Sequence, residues 1–162
     1  MQQDAKNILI EYIKNNEAKL YRIAYSYVAQ RDAALDIVQE AIIKALENID
    51  KLRVKEYVKT WFYRILINEA LMYIRKNKKY VQMECDIKEE LEDFENTSDN
   101  NIEIYQNVQK LDDKLKTVIV LRYFENLKLE EISKITNTNL STVKSRLYKG
   151  LEIIKSNMEG DK

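Results

Sequence analysis

Apolar residues recur with the 3.6-residue spacing of an α-helix along almost the whole chain, except in residues 81–104. No segment shows a convincing alternation of apolar and polar residues, so no strand is predicted. The spacing predicts helices over residues 7–30, from Asp32 onward, and over residues 60–79. Shorter helices follow at about residues 105–113, 114–125, 129–136 and from 140. We therefore expect an all-α fold of about three helices, a linker, and about four shorter helices.

The helix that starts near Asp32 is amphipathic, and we expect Asp32 to be its N-cap because the carboxylate can accept a backbone N–H. Its spacing predicts that seven apolar residues face the core: Leu35, Val38, Ala41, Ile42, Ala45, Leu46 and Ile49. Asp36, Gln39 and Glu40 then lie on the opposite face. Taken alone, these three indicate a solvated surface with a Glu40–Lys44 ion pair one helical turn apart.

Composition argues against several classes of enzyme. The 162 residues include no histidine, one cysteine, two glycines and no proline. A zinc site, histidine acid–base chemistry and a catalytic triad each need residues that are missing, and no glycine-rich phosphate loop is present. We expect no enzyme activity, no metal and no cofactor. The single Cys85 fits a reducing compartment, and the charged first residues favour a cytoplasmic protein without a signal peptide.

The formal net charge of zero hides three blocks of alternating sign. Residues 1–80 carry +5, residues 81–104 carry −8, and residues 105–162 carry +3. Residues 60–79 combine a Trp, several other aromatics and a cationic end. Two basic blocks joined by an acidic spacer suggest two contacts with a polyanion.

The segment "LEEISKITNTNLSTVKSRLYKG" predicts a helix-turn-helix. Asn137 suits the positive φ of a tight turn, and Asn139 can cap the second helix. Thr136 and Thr138 stand where apolar residues are usual, so a solvated helical hairpin remains an alternative. The polar outer face of the second helix suits base edges and phosphates, and it comprises Ser141, Thr142, Lys144, Ser145, Tyr148 and Lys149.

Three segments together resemble a bacterial sigma-70-family factor. "AYSYVAQRDAALDIVQEAIIKAL" is similar to its regions 2.1–2.2, "KTWFYRILINEALMYIRKNKK" to regions 2.3–2.4, and "LKLEEISKITNTNLSTVKSRLYKGLEIIK" to region 4. Their order and the chain length resemble the extracytoplasmic-function (ECF) group. The resemblance implies two small helical domains, a three-helix region 2 bundle at 1–80 and a region 4 helix-turn-helix at 105–162. An acidic flexible linker at 81–104 would join them.

The same resemblance implies the partners and the site residues. The partners would be core RNA polymerase, promoter DNA and an anti-sigma factor. Core polymerase would contact Asp36, Gln39 and Glu40. The promoter −10 element would contact Leu52, Lys59, Trp61, Arg64, Asn68 and Arg75. The −35 element would contact the polar outer face of the helix-turn-helix. For Trp61, a partly buried scaffold role is the alternative.

A second hypothesis is a self-sufficient helix-turn-helix regulator whose N-terminal bundle dimerises or senses a ligand. Such a bundle needs an apolar dimer face or a pocket. The N-terminal block instead carries a basic loop and a basic tail of its own.

Overall fold

The computed structural model describes residues 2–77 and 99–160. The chain divides into two compact units, Met1–Val81 and Gln82–Lys162. All regular elements within the described ranges are helical, as the periodicity predicts, and no helix there is long and apolar enough to cross a membrane. Most of the acidic linker expected at 81–104 lies outside the described residues, but residues 99–104 already belong to a helix.

The first unit contains four α-helices in its described part. These are α1 (Gln2–Asn15), α2 (Glu17–Val28), α3 (Arg31–Glu47) and α4 (Val58–Lys76). Two short 3-10 turns, Ile49–Lys51 and Lys55–Tyr57, join α3 to α4. Helices α2, α3 and α4 all pack against one another, and α1 packs on α4.

The prediction of a single helix over residues 7–30 is wrong, because the helix is interrupted at Asn16. The Asn16 side chain donates to the Tyr12 carbonyl at 2.8 Å, and its backbone N–H bonds the Ile13 carbonyl at 3.2 Å. An asparagine that bonds its own preceding turn competes with the helical ladder. At the far end of α2, Ala29 takes a left-handed conformation with φ 53° and donates its N–H to the Tyr25 carbonyl.

The predicted inner face of α3 is also partly wrong. Leu35 is 48% exposed, whereas the buried residues of the helix are Ala33, Ala34, Ile37, Ala41 and Ala45. The buried face is therefore rotated from the leucine stripe onto small alanines, which allow α2 and α4 to pack closely on α3. The helix begins at Arg31 with Gln30 as its N-cap, so Asp32 does not cap it.

The second unit contains four further helices in its described part. These are α5 (Asp99–Gln109), α6 (Asp113–Ile119), α7 (Leu129–Thr136) and α8 (Leu140–Gly160). A π-helical turn, Val120–Phe124, continues α6. Asp112 caps α6 by accepting the Leu115 N–H at 3.0 Å. Helix α8 packs against α5, α6 and α7, and the rings of Tyr105 and Phe124 stack with centroids 5.7 Å apart.

The helix-turn-helix prediction is confirmed in detail. Helix α7 buries Ile132 and Ile135, and Asn137 takes the expected left-handed conformation with φ 54°. The two unusual threonines are accommodated because their hydroxyls bond within the turn. Thr136 donates to the Ile132 carbonyl at 2.8 Å, and the Thr136 and Thr138 hydroxyl oxygens lie 2.7 Å apart.

Gly150 marks a close approach between α8 and α6. It is buried, and a Cβ at this position would lie 3.0 Å from Cγ1 of Ile119. Glycine is unfavourable in a helix interior by about 1 kcal/mol relative to alanine. The close packing on Ile119 explains why a glycine occupies this position.

Candidate functional site

The acidic residues of α3 form an exposed face. Asp36, Gln39 and Glu40 are all exposed, and so are Leu35 and Ile43 beside them, at 48% and 42%. The predicted exposure of the three polar residues is therefore confirmed, but the surface is mixed acidic and apolar. We call these five residues the α3 face.

A groove of about 390 Å³ lies between the α3 face and the C-terminal half of α4. Its α3 wall includes Asp36, Gln39, Glu40 and Ile43. The α4 wall is formed by Glu69, Met72, Tyr73 and Lys76, with Asn77 at the end. The groove extends the α3 face onto a second helix, which sequence reasoning did not predict.

Lys44 forms an ion pair with Glu69 of α4 rather than the predicted pair with Glu40. Glu69 is only 8% exposed and is one of the few buried charged residues in the described part of the chain. The hydrogen bond to Glu69 raises the pKa of Lys44, and burial opposes this shift only in part. Lys44 is therefore cationic throughout the neutral range.

The first half of α4 is anchored by buried aromatic rings. Phe62 and Tyr63 are 0% and 1% exposed. The Tyr63 hydroxyl bonds that of Tyr12 in α1, and the two rings meet edge to face with centroids 6.1 Å apart. These contacts hold the helix in one rotation about its axis, which determines the residues that face solvent.

Four of the five predicted −10 residues on α4 share that outward side. Arg64, Asn68 and Arg75 are exposed, and Trp61, near the N-terminal end of α4, is half-buried. Their spacing of three, four and seven residues places them along one stripe of the helix. Lys59 is half-buried and lies outside this stripe by spacing. Lys78 and Lys79, the last two cations of the predicted tail, lie outside the described residues.

Leu52 lies in the loop between the two 3-10 turns, in an extended conformation and half-buried. The connection between α3 and α4 exposes two large side chains that sequence analysis missed, Val54 at 43% in this loop and Tyr57 at 55% in the second 3-10 turn. Exposed Arg53 and Lys55 flank Val54. The available signal was the interleaving of apolar and cationic residues in "KLRVKEYVK".

The outer face of α8 carries the predicted −35 residues. Ser141, Lys144, Ser145 and Lys149 are exposed, Thr142 is half-buried, and Tyr148 is 63% exposed. Val143 and Leu147, at 0% and 6% exposed, hold the opposite side against the core. Half-buried Arg146, four residues after Thr142, adds a cation that sequence analysis did not single out.

Family models match both units. The model described as Sigma-70 region 2 matches residues 12–80, and the model described as Sigma-70, region 4 matches residues 102–154. The chain is 40% identical over 153 residues to RNA polymerase sigma factor SigV of Bacillus subtilis, covering 94% of this chain and 92% of that protein. It is 34% identical to the ECF RNA polymerase sigma factor SigW of the same organism, covering 96% and 90%.

Solved structures agree on the fold. The structure of CnrH in complex with the cytosolic domain of CnrY matches with a TM-score of 0.75 at 16% identity, covering 99% of this chain and 96% of that one. The sigma factor RpoE of Bartonella quintana, crystallised with the anti-sigma factor NepR, matches with a TM-score of 0.71 at 20% identity, covering 94% and 99%.

These matches leave no support for the alternative of a self-sufficient regulator with a dimerising or sensing bundle. Sigma factors are initiation factors rather than enzymes. With both sigma regions matched in order and curated relatives aligned along nearly its whole length, the chain belongs to the ECF group of the sigma-70 family, whose members bind core RNA polymerase and direct it to specific promoters.

Proposed function

We propose that three surfaces divide the work of initiation. The α3 face binds core polymerase, the outward stripe of α4 with the preceding loop binds the −10 element, and the outer face of α8 binds the −35 element. The observation that carries this proposal is the separation of charge. Exposed acids outnumber exposed cations on α3, whereas exposed cations outnumber exposed acids on the loop, on α4 and on α8.

For core polymerase, the argument is electrostatic complementarity. Sigma-70-family factors use an acidic segment of this kind to bind cationic clamp helices of the polymerase. Asp36 and Glu40 are exposed one turn apart, and Gln39 lies between them with amide groups that can donate and accept hydrogen bonds. Complementary charges accelerate association and disfavour wrong partners.

For the −10 element, the proposal is capture of an opened DNA strand. Arg64 and Lys59 would contact phosphates, and Arg75 would extend the cationic track. Asn68 would bond a base or the backbone. Leu52 would line a pocket for a flipped base, and half-buried Trp61 would shape that site. Stacking on an aromatic side chain stabilises a base by about 1–3 kcal/mol, comparable to the few kcal/mol needed to flip it. Binding energy can therefore drive strand opening.

For the −35 element, the proposal is duplex recognition in the major groove. Lys144, Ser145 and Tyr148 would reach base edges from the first half of α8, and Lys149 would neutralise a phosphate. Ser141 and Thr142 stand at the N-terminus of the helix, where hydroxyl and backbone N–H groups suit phosphate oxygens.

The proposal includes regulation by an anti-sigma factor. Two structurally similar proteins were solved in complexes, CnrH with the cytosolic domain of CnrY and the sigma factor RpoE with the anti-sigma factor NepR. We infer that this chain is held inactive in a similar complex. We also place it in the cytoplasm, where the polymerase works.

Run-off transcription with core polymerase tests the −10 assignment. Arg64→Ala and Asn68→Ala are each compared on a duplex promoter and on the same promoter with a pre-melted bubble. We expect lost activity on both templates, because the bubble removes the cost of melting but not the need to hold the strand. Lys14→Ala and Asn15→Ala, two exposed positions on α1, are the matched controls. Full activity of Arg64→Ala and Asn68→Ala on duplex promoters would show that this stripe is scaffold.

A further inference from the structure

Lys44 has three acidic neighbours and is bonded to the one most distant in sequence. Glu40 precedes it by four residues and Glu47 follows it by three, both on α3, and the charges of both act on it. A glutamate four residues before a lysine is the favoured arrangement for a helical ion pair. The ammonium group nevertheless bonds Glu69 on α4.

This choice of partner is explained by burial. The Glu69 side chain is 10% exposed, whereas that of Lys44 is 38% exposed. A buried carboxylate loses most of its hydration and depends on a cation much more strongly than an exposed one does. Glu40 is exposed and hydrated, so Lys44 stabilises the fold more by bonding Glu69.

The consequence lies at the edge of the groove. Glu40 and Glu69 both line it, and Lys44 is held toward α4. Within residues 2–77 and 99–160, the Glu40 carboxylate forms no ion pair. The exposed Glu40 carboxylate is therefore left without a bonded cation at the edge of the groove.

We propose that Glu69 is a positioning residue for polymerase binding, which holds Lys44 against α4 and so keeps the Glu40 carboxylate available to the polymerase. The inference rests on the proposed contact between Glu40 and core polymerase. Without Glu69, Lys44 would swing to Glu40, because that pair has the preferred orientation whereas Glu47 follows the lysine. Glu69 itself acts only through Lys44.

The test measures the affinity of core polymerase for the full chain carrying Glu69→Gln, which is nearly isosteric. We expect binding to weaken roughly twofold to fivefold, the range of surface ion-pair effects. Adding Lys44→Gln should restore wild-type affinity, because residue 44 then has no charge with which to cover Glu40. Adding Lys14→Gln instead, which removes an exposed cation on α1, should not restore it. Circular dichroism and thermal melts check that each variant folds.

Two outcomes overturn the inference. Wild-type affinity of Glu69→Gln would show that the position of Lys44 is irrelevant to binding. Weak binding that persists in the Glu69→Gln/Lys44→Gln variant would show that Glu69 acts directly or through the fold.

A Glu40→Gln variant distinguishes the failure of this inference from the failure of the proposed contact between Glu40 and core polymerase. If Glu40→Gln binds normally, the polymerase assignment of Glu40 fails. If it binds weakly while Glu69→Gln binds normally, only the positioning role fails.

Discussion

Asn139 accepts a hydrogen bond from the backbone N–H of Thr142 at 2.8 Å through its side-chain oxygen. This bond satisfies one of the free N–H groups at the start of α8 and fixes the point at which the helix begins. All the proposed −35 contacts follow within the next ten residues. The cap therefore orients the end of the helix that would enter the DNA groove.

Asn139→Ala should lower the free energy of unfolding of the second unit by about 1 kcal/mol, since the N-cap acceptor is lost. It should also weaken binding of a −35 duplex by the holoenzyme. Asn139→Ser is the control, because serine retains a capping oxygen and should preserve both properties. Denaturant unfolding and duplex binding measure the two effects, and an unchanged alanine variant would contradict the role of the cap.

Lys149→Ala should weaken binding of all −35 sequences and lower the salt-dependence slope by about one, because one phosphate contact is lost. Lys144→Ala and Ser145→Ala should instead change the sequence preference, by about 1–3 kcal/mol for a good base contact. Lys155→Ala, an exposed lysine farther along α8, is the control. Normal transcription from a −35-dependent promoter by all three variants would refute the assignment.

Replacing Asp36 and Glu40 together by lysine should abolish capture of core polymerase, because like charges brought together at an interface cost several kcal/mol. Both residues are exposed, so the circular dichroism spectrum should stay normal. Glu11→Lys with Glu17→Lys makes the same change in net charge on exposed positions of α1 and α2. Equal capture of core polymerase by both double variants would show that the α3 face is an ordinary solvated surface with no role in binding.

Ala29→Gly should stabilise the first unit by about 1 kcal/mol. Ala29 has φ 53°, and the left-handed conformation costs a residue with a Cβ roughly 1–2 kcal/mol. The greater freedom of glycine in the unfolded chain offsets part of the gain. Ala18→Gly, at the exposed second residue of α2, should instead destabilise the unit, by at most about 1 kcal/mol. Thermal unfolding measures whether each variant raises or lowers the stability of the first unit.

Lys116→Met should stabilise the second unit at pH 7 by about 1 kcal/mol, since a buried charge is replaced by an apolar side chain of similar length. Lys116 is 4% exposed, and burial lowers its pKa from 10.5, although Asp113 and Asp112 oppose the shift. Below the lowered folded pKa, the cost of burying the ammonium is present in full. Between that pKa and 10.5 the unfolded chain binds more protons, so wild-type stability rises with pH.

The advantage of Lys116→Met should therefore shrink as the pH approaches 10.5. Unfolding by denaturant at several pH values between 7 and 10.5 measures this difference. Lys114→Met is the matched control, because Lys114 is exposed on the same helix. An advantage that did not change with pH would contradict the linkage to Lys116.

The helix-turn-helix was predictable because its determinants are local. Asn137 supplies the left-handed turn and Asn139 supplies the cap, and both roles can be read from a few neighbouring residues. The family of the chain was likewise predictable from three ordered motifs. The roles of individual site residues stay predictions, because a sequence pattern places them on a face but does not bring them to a partner.

Two of the three errors concern interactions between helices. The break at Asn16 lies in a segment without proline or glycine, but no large apolar residue stands between Ile13 and Leu20, and two adjacent asparagines occupy this gap. The prediction of one continuous helix did not use that signal. The burial of the α3 alanines in place of Leu35 depends on how closely α2 and α4 approach. The pairing of Lys44 with Glu69 joins residues 25 positions apart, whereas the local pattern favoured Glu40.

The close packing at Gly150 disfavours a shift of α8, the helix that bears the proposed −35 residues, along its own axis. A shift of α8 by one residue would rotate it by about 100° and move it by about 1.5 Å. It would replace Gly150 by a residue with a Cβ, which at this position lies 3.0 Å from Cγ1 of Ile119, so the Ile119 side chain would have to move. Gly150 stands nine residues after Ser141, about 14 Å along the helix, so this contact influences the position of the −35 residues although it lies far from the first of them. The packing of Gly150 on Ile119 therefore helps to determine which side chains of α8 face the DNA, although neither residue needs to contact the DNA.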